Sequence, residues 1–479
     1  MKKFLIPLAL VMVMNLGADT YFVNSSVVAA TDKNPGTKEL PWFTIRHGVD
    51  NAKPGDTIIV MPGTYERTTI KKSGTKGALI TIKGFITPTQ KHVDKNKIFD
   101  PLKPSSFPGS IKENAVSEGF YINGASYIRV ENFEITAVNG IAGVFLKNAD
   151  NVEIIRNFLH DLNPGEGKYG GVRTDDHDSD NVLVKDNTFF RCPGTSVIIM
   201  GDSWVVEGNE ISHGTNCNTE TGAKIGGEDA VRIFGTNHII RYNYIHDFLD
   251  EEQFPKSNPH LDAFQSFSEN PSAQFASDIL IESNYCVNIG QMFMGSDTNE
   301  MKTGNNSIHN FTFKNNVFRG AHAYAIIIGR GCDNFTFVNN VVADSFYGGV
   351  IITEKSHHAV VENNIFFNNS ESSAARGARS GQMSIDESSK PDSVIDYNIQ
   401  NEDYTYPKKD YSLDKNSIYE DPGFVGPKLG DYRLQSGSPA IDKGDPSFPV
   451  PAGGGKRIDI GAFEYGAKGT DWFLKYLLK

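Results

Sequence analysis

The chain has 479 residues, of which 22% are charged and 39% hydrophobic, with a formal net charge of −12. That acidity argues against non-specific nucleic-acid binding, which needs a basic face, but leaves room for a local basic cleft that takes an anionic glycan. Cys192, Cys217, Cys286 and Cys332 are too dispersed for a zinc site or a disulfide framework and read as small buried residues, with one disulfide left open.

In chain order, Lys2 and Lys3 precede an apolar run from Phe4 to Met14, which reads as a signal peptide. The run is too short to span a bilayer. Cleavage after Ala30 would remove Thr20 to Val23, which looks like the first strand, so residues 1–18 are taken as the leader. The mature chain is then secreted, extracellular or periplasmic, and no later segment is apolar enough to cross a membrane. Ile45, Val49 and Ala52 recur at helical spacing and Pro54-Gly55 stops the pattern, which predicts a short capping helix over 43–52.

A repeat then takes over. Val152-Glu-Ile-Ile-Arg-Asn-Phe158 is echoed by Val182-Leu-Val-Lys-Asp-Asn-Thr-Phe189, and Phe311-Thr-Phe-Lys-Asn-Asn-Val317 by Phe335-Thr-Phe-Val-Asn-Asn-Val341. An asparagine recurs at 132, 157, 187, 209, 243, 284, 316, 340 and 364, with shortest intervals of 22 to 25 residues and longest of 34 and 41. A period near 24 with strand-type alternation means one coil of three short strands. The asparagine is expected to adopt left-handed backbone geometry and to stack its amide from coil to coil. The prediction is an all-β solenoid, a right-handed parallel β-helix of about ten coils over 19–399. The turn-rich remainder, 400–479, is a closing segment packed on it.

A second strand of each coil also aligns. Its outward place carries Phe145, Arg173, Ile198, Arg232, Gln265, Met294, Ile327 and Ile351. The polar members coincide with the largest insertions, 212–227 and 249–261, and long loops beside a polar stripe on a rigid scaffold are where function is expected.

The opening motifs Tyr21-Phe-Val, Asn34-Pro-Gly-Thr37, Pro54-Gly-Asp-Thr-Ile58 and Pro62-Gly-Thr-Tyr65 resemble the N-terminal part of secreted β-helix polysaccharide lyases, notably the chondroitinase B/alginate lyase and family-9 pectate lyase groups. The ending, Gly437-Ser-Pro-Ala-Ile-Asp442 with Asp459-Ile-Gly-Ala-Phe-Glu-Tyr465, is similar to the tail of many bacterial right-handed β-helix proteins. The segment Gly226-Gly-Glu-Asp-Ala-Val-Arg-Ile233 is similar to the first family's arginine-bearing coil before its active coil. That resemblance implies an acidic, calcium-binding position at Asp262. It also implies a lysine base where Phe267 stands and an arginine where Gly295 stands, so two expected catalytic positions are replaced.

The residues left in the stripe are Arg173, Asp175, Asp176, His177, Glu228, Asp229, Arg232, His260, Asp262 and Gln265. Asp229 and Asp262 hold the same place in successive coils, which stack about 4.8 Å apart, so their carboxylates are expected within roughly 5–6 Å. Proximity of that kind raises one carboxyl pKa. Three readings follow. The first is uronate β-elimination: Glu228, Asp229 and Asp262 hold Ca²⁺, Arg232 neutralises the substrate carboxylate, and His260 or Lys224 acts as base. Arg173, Asp175, Lys224 and Gln265 then contact the polysaccharide. The second is glycoside hydrolysis by a carboxylate pair drawn from Asp229, Asp262 and Glu228, since about 5–5.5 Å suits a retaining pair. The third is a non-catalytic glycan-binding or surface protein. All three expect a monomer with a polysaccharide partner and no organic cofactor.

Overall fold

The computed structural model describes residues 17–86, 114–136, 142–162, 170–215, 228–253, 260–269, 274–298, 307–369, 382–400, 415–469 and 472–474. The leader (nearly all of it), Lys224 and Cys217 lie outside the described residues.

The chain winds as a right-handed parallel β-helix. Three long sheets of 14, 11 and 12 strands run the length of the stack, and each strand pairs in parallel with its counterpart one coil away. Val152–Ile155, for example, lies between Ile128–Glu131 and Leu183–Lys185 in register. The strands are short because each coil must turn three times, and alternation does the sorting: Val152 and Ile154 point inward and are fully buried, Glu153 points out. Each coil's inward Ile, Val and Phe side chains stack on those of the next. The Phe311 ring stacks nearly parallel to that of Phe335, with centroids 4.9 Å apart.

The stack is deeper than about ten coils. Strands Thr20–Val23, Thr57–Val60 and Ile80–Lys83 open the first sheet before any recurring asparagine. Counting by asparagine misses those coils.

The asparagine ladder has a sharper job than expected. At the corner between the first sheet and the 12-stranded second sheet, Asn157, 187, 209, 243, 284, 316, 340, 364 and 398 form a continuous buried file. Each link is double: the backbone and side-chain N–H groups of Asn209 both donate to Asn243 Oδ1, at 3.0 and 2.9 Å, and those of Asn243 both donate to Asn284 Oδ1, at 3.0 Å. Asn284 repeats the pattern on Asn316 at 2.9 and 3.0 Å. The left-handed backbone, however, belongs to the preceding residue: Arg156, Asp186, Tyr242, Ser283 and Asn315 all have φ between 53° and 57°. Asn132 belongs to that file and not to the ladder. Its φ is 59°, and the ladder place in its coil is taken by Phe133, whose N–H donates to Asn157 Oδ1 at 3.0 Å. The ladder therefore selects asparagine for its amide, and the turn beside it tolerates many side chains.

The capping helix spans Ile45–Asn51, with the Thr44 hydroxyl accepting from the His47 N–H at 3.1 Å. It buries Ile45 and Val49 over the open end of the core. At the other end of the chain, Ile418 pairs in parallel with Ile399 of the last coil, and Phe424, Tyr432, Leu434, Ile460, Phe463 and Phe473 lie beside the stack. They pack along the outer face of the second sheet, against Tyr244, Tyr285, Val317, Val341, Ile365 and Ile399. Cys192, Cys286 and Cys332 are all buried.

Candidate functional site

The 11-stranded third sheet carries a groove of about 1020 Å³ on its outer face. Its floor is a single file of outward side chains set by the register: Arg232, Gln265, Gly295, Ile327 and Ile351. Gly295, and not Met294, holds the outward place in its coil; Met294 is fully buried in the core. One residue of slip turns a side chain to the other face. A Cβ at Gly295 would lie 3.0 Å from Asp262 Oδ2 and 3.4 Å from Met292 Cε, so the missing side chain makes a dip in the floor beside Asp262.

Asp229 and Asp262 do occupy equivalent places in successive coils, as the pairing of Val231 with Phe264 fixes. Both are fully buried, but their surroundings differ. Asp229 Oδ2 accepts from Arg232 Nε at 2.9 Å, and Asp229 is not among the residues that line the groove. Asp262 lines it. Its Oδ1 accepts the Met292 N–H at 3.1 Å, its Oδ2 accepts from Gln265 Nε2 at 3.4 Å, and His260 Nδ1 stands 3.7 Å from Oδ2. Burial pushes both carboxyls above the ordinary range, and Asp229's charge adds to the rise at Asp262. Asp262 in turn holds the His260 imidazole above its ordinary value. The His260 side chain is 57% exposed, so its other ring nitrogen is open to the groove.

Phe267 stands two places along from Gln265. Its ring lies 5.4 Å from the Arg232 guanidinium carbon and 5.3 Å from Phe234. It is an aromatic shelf beneath the arginine, not a base. In the next coil the same file continues as Asp297, in register with Phe267. Arg330 Nη1 pairs with Asp297 at 2.9 Å and Arg330 Nε with Glu354 at 3.3 Å. Burial also raises the Asp297 carboxyl. This Asp297–Arg330–Glu354 cluster on the groove rim was missed in the sequence because only one outward place per strand was followed. Extending the alternation by two residues reaches Asp297, while Arg330 and Glu354 stand one residue further on, just after their strands.

Other predicted members fall elsewhere. Glu228 is fully buried, and its N–H donates to the His260 carbonyl at 2.9 Å, so it lies behind the groove. Arg173 pairs with Asp175, and Ile198 stands in register between Arg173 and Arg232. Two coils separate Arg173 from Arg232, about 9.6 Å at the usual strand spacing, and neither Arg173 nor Asp175 lines the groove. His177 stacks on Phe275 at 4.4 Å, and its Nδ1 accepts the Gly201 N–H at 3.2 Å, which staples a turn.

The calcium set does not fit. Calcium takes several hard oxygens at once, whereas Asp229 Oδ2 is held by a guanidinium and both Asp262 oxygens accept N–H donors, so Asp229 Oδ1 is the one oxygen of the two aspartates without a hydrogen bond among the described residues. Among the described residues no group of three or more His, Cys, Asp or Glu is arranged to hold a metal.

A family model for the right handed beta helix region matches residues 178–366. That stretch contains most of the groove. Among curated proteins, a 56-residue stretch is 41% identical to the uncharacterized protein YwoF of Bacillus subtilis (strain 168), and the match spans only 12% of either chain. Among solved structures, pectate lyase Pel9A aligns over 93% of this chain and 96% of its own, at 13% identity and a TM-score of 0.49. A PL6 alginate lyase in complex with a trisaccharide aligns over 94% and 96%, at 12% identity and 0.43. The lacto-N-biosidase of Eubacterium ramulus aligns over 80% and 68%, at 13% and 0.38. Likeness at this level says nothing about the chemistry of the groove. No helix among the described residues is long and apolar enough to cross a membrane.

Proposed function

We propose that the chain is a secreted polysaccharide-degrading enzyme that cleaves a uronate-containing glycan by β-elimination in this groove. One observation carries the reading. His260 faces the groove with Asp262 behind its Nδ1 and Arg232 beside it, while the second carboxylate of the hydrolase pair, Asp229, is withdrawn behind Arg232.

β-Elimination needs a base for the proton α to the carboxylate and a cation to neutralise that carboxylate. With Nδ1 protonated toward Asp262 Oδ2, 3.7 Å away, and the Gln265 carboxamide, whose Nε2 lies 3.2 Å from the same ring nitrogen, turned aside, His260 Nε2 keeps the lone pair. Nε2 takes the C5 proton, the electron pair forms the C4–C5 double bond, the C4–O bond breaks, and the leaving oxygen takes a proton from water. Arg232 meets the substrate carboxylate and stabilises charge as the C5 proton leaves. Asp262 is a positioning residue: it orients the imidazole.

A second reading keeps hydrolysis, through Asp262 and Asp297. Burial raises both carboxyls, as a general acid requires. Incubation of the full chain with pectate, alginate and other uronate polymers separates the readings. An unsaturated uronate absorbing in the near ultraviolet supports elimination. Reducing ends without that absorbance support hydrolysis and refute the base role of His260. Neither signal, with polymer still bound, supports a binding protein.

A further inference from the structure

The corner where the second sheet turns toward the groove sheet carries another recess, of about 750 Å³, which the reaction above does not use. Its floor is polar. His322 Nε2 lies 3.1 Å from Asn288 Oδ1, Asn368 Nδ2 donates to Asp344 Oδ1 at 2.7 Å, and Arg319 Nε donates to Asp344 Oδ2 at 3.2 Å. Its wall is Phe346, a large aromatic side chain 54% exposed.

Phe346 is not isolated. Its ring lies 4.8 Å from that of Tyr347, and Tyr347 lies 5.7 Å from Tyr324, which lines the groove. An aromatic ridge therefore leads from the groove, over the corner, into the recess. The coil stacking fixes it: the Phe346 and Tyr347 N–H groups donate to Ala321 and Ala323 carbonyls at 2.9 and 3.0 Å. Sugar rings offer an apolar face that lies on an aromatic ring and hydroxyls that both donate and accept. Phe346 supplies the first contact, and the carboxamides of Asn288 and Asn368 with the Asp344 carboxylate supply the second.

We infer that this recess is an accessory subsite for glycan residues distal to the cleaved bond, reached across the Tyr324–Tyr347–Phe346 ridge by the same chain that occupies the groove. The inference rests on the groove taking a polysaccharide. It predicts that affinity rises with oligomer length because longer chains reach the recess.

The test is calorimetric titration of the full chain with short and long oligouronates of one series, using wild type, Phe346→Ala and Arg232→Ala. Phe346→Ala is expected to weaken long oligomers by roughly five- to tenfold, as loss of one aromatic contact implies, and to leave short ones and their turnover unchanged. Equal affinity of wild type and Phe346→Ala for long oligomers overturns the subsite and leaves the groove reading standing. Short oligomers that bind Arg232→Ala as well as wild type overturn the groove reading instead, separately from the Phe346 result. A matching thermal melt of Phe346→Ala confirms that the comparison is between folded proteins.

Discussion

Asn284→Ala tests the idea that the asparagine file is a structural spine. The Asn284 side chain makes four hydrogen bonds. Its Oδ1 accepts from the backbone and side-chain N–H of Asn243, at 3.0 Å each way of approach for the backbone and side chain, and its Nδ2 donates to the Ile240 carbonyl at 2.9 Å and to Asn316 Oδ1 at 3.0 Å. At about 1 kcal/mol net per bond the loss comes to about 4 kcal/mol, and more if the orphaned groups stay dry. A solenoid distributes its stability through nearest-neighbour contacts, so the damage should be local. Hydrogen exchange is the suitable assay: amides in the coils carrying Asn243, Asn284 and Asn316 should lose protection by two to three orders of magnitude, about what 4 kcal/mol implies, while the coil of Asn157 is spared. A loss under about 1 kcal/mol, or one spread evenly over the stack, would refute the reasoning.

The remaining predictions concern the groove. His260→Ala should lower turnover by about a hundredfold to ten-thousandfold, the usual worth of a general base, with oligomer binding retained; turnover within threefold of wild type removes His260 from the chemistry. Because Asp262 raises the His260 pKa above 6.5, the neutral, proton-accepting form appears only above that value. kcat/KM should therefore climb with pH beyond the ordinary histidine range, and Asp262→Asn should move that limb down. Asp262 itself has a raised pKa in the folded state. Its protonated form is the one folding favours, so its contribution to stability is present below the ordinary value of 3.8 and is lost as pH rises from there through about 6. Asp262→Asn should accordingly cost activity but no stability at pH 7, which a denaturant titration at several pH values would check. Gly295→Ala should fill the dip beside Asp262, 3.0 Å from its Oδ2, and weaken substrate binding without unfolding the chain; an unchanged KM speaks against a sugar lying over Gly295.

Much of the fold was legible because a stacked coil repeats its constraints. The apolar alternation and the asparagine interval recur, so an error in one coil is corrected by its neighbours. The side-by-side placement of Asp229 and Asp262 came from that same register. What sequence alignment could not supply was where each carboxylate points. Asp229 and Asp262 look equivalent in the repeat, yet the arginine three residues after Asp229 pulls it out of the groove, and Gln265 at the same offset leaves Asp262 facing in. Arg173 and Arg232 likewise share a file, but Ile198 between them divides one apparent patch into two. Asn132 was misplaced by one residue because asparagine also suits the left-handed turn next to the ladder. Arg330 and Glu354 meet Asp297 only through the turn geometry after their strands.

The C-terminal segment bears on the groove although none of its described residues lines it. It grips the second-sheet strands beginning at Tyr244, Tyr285, Val317, Val341 and Ile365. Each of those strands is followed in chain order by a third-sheet strand, and the first four precede Phe264–Ser268, Met294–Thr298, Tyr324–Gly329 and Gly348–Ile352, which carry groove-lining residues. The tail is thus a splint on the back of the working coils. A parallel stack is free to twist and breathe one coil at a time; strapping these coils together along one side makes them move as a unit. The spacing between groups on neighbouring coils, such as His260 and Asp297, is then held by a segment on the opposite side of the core.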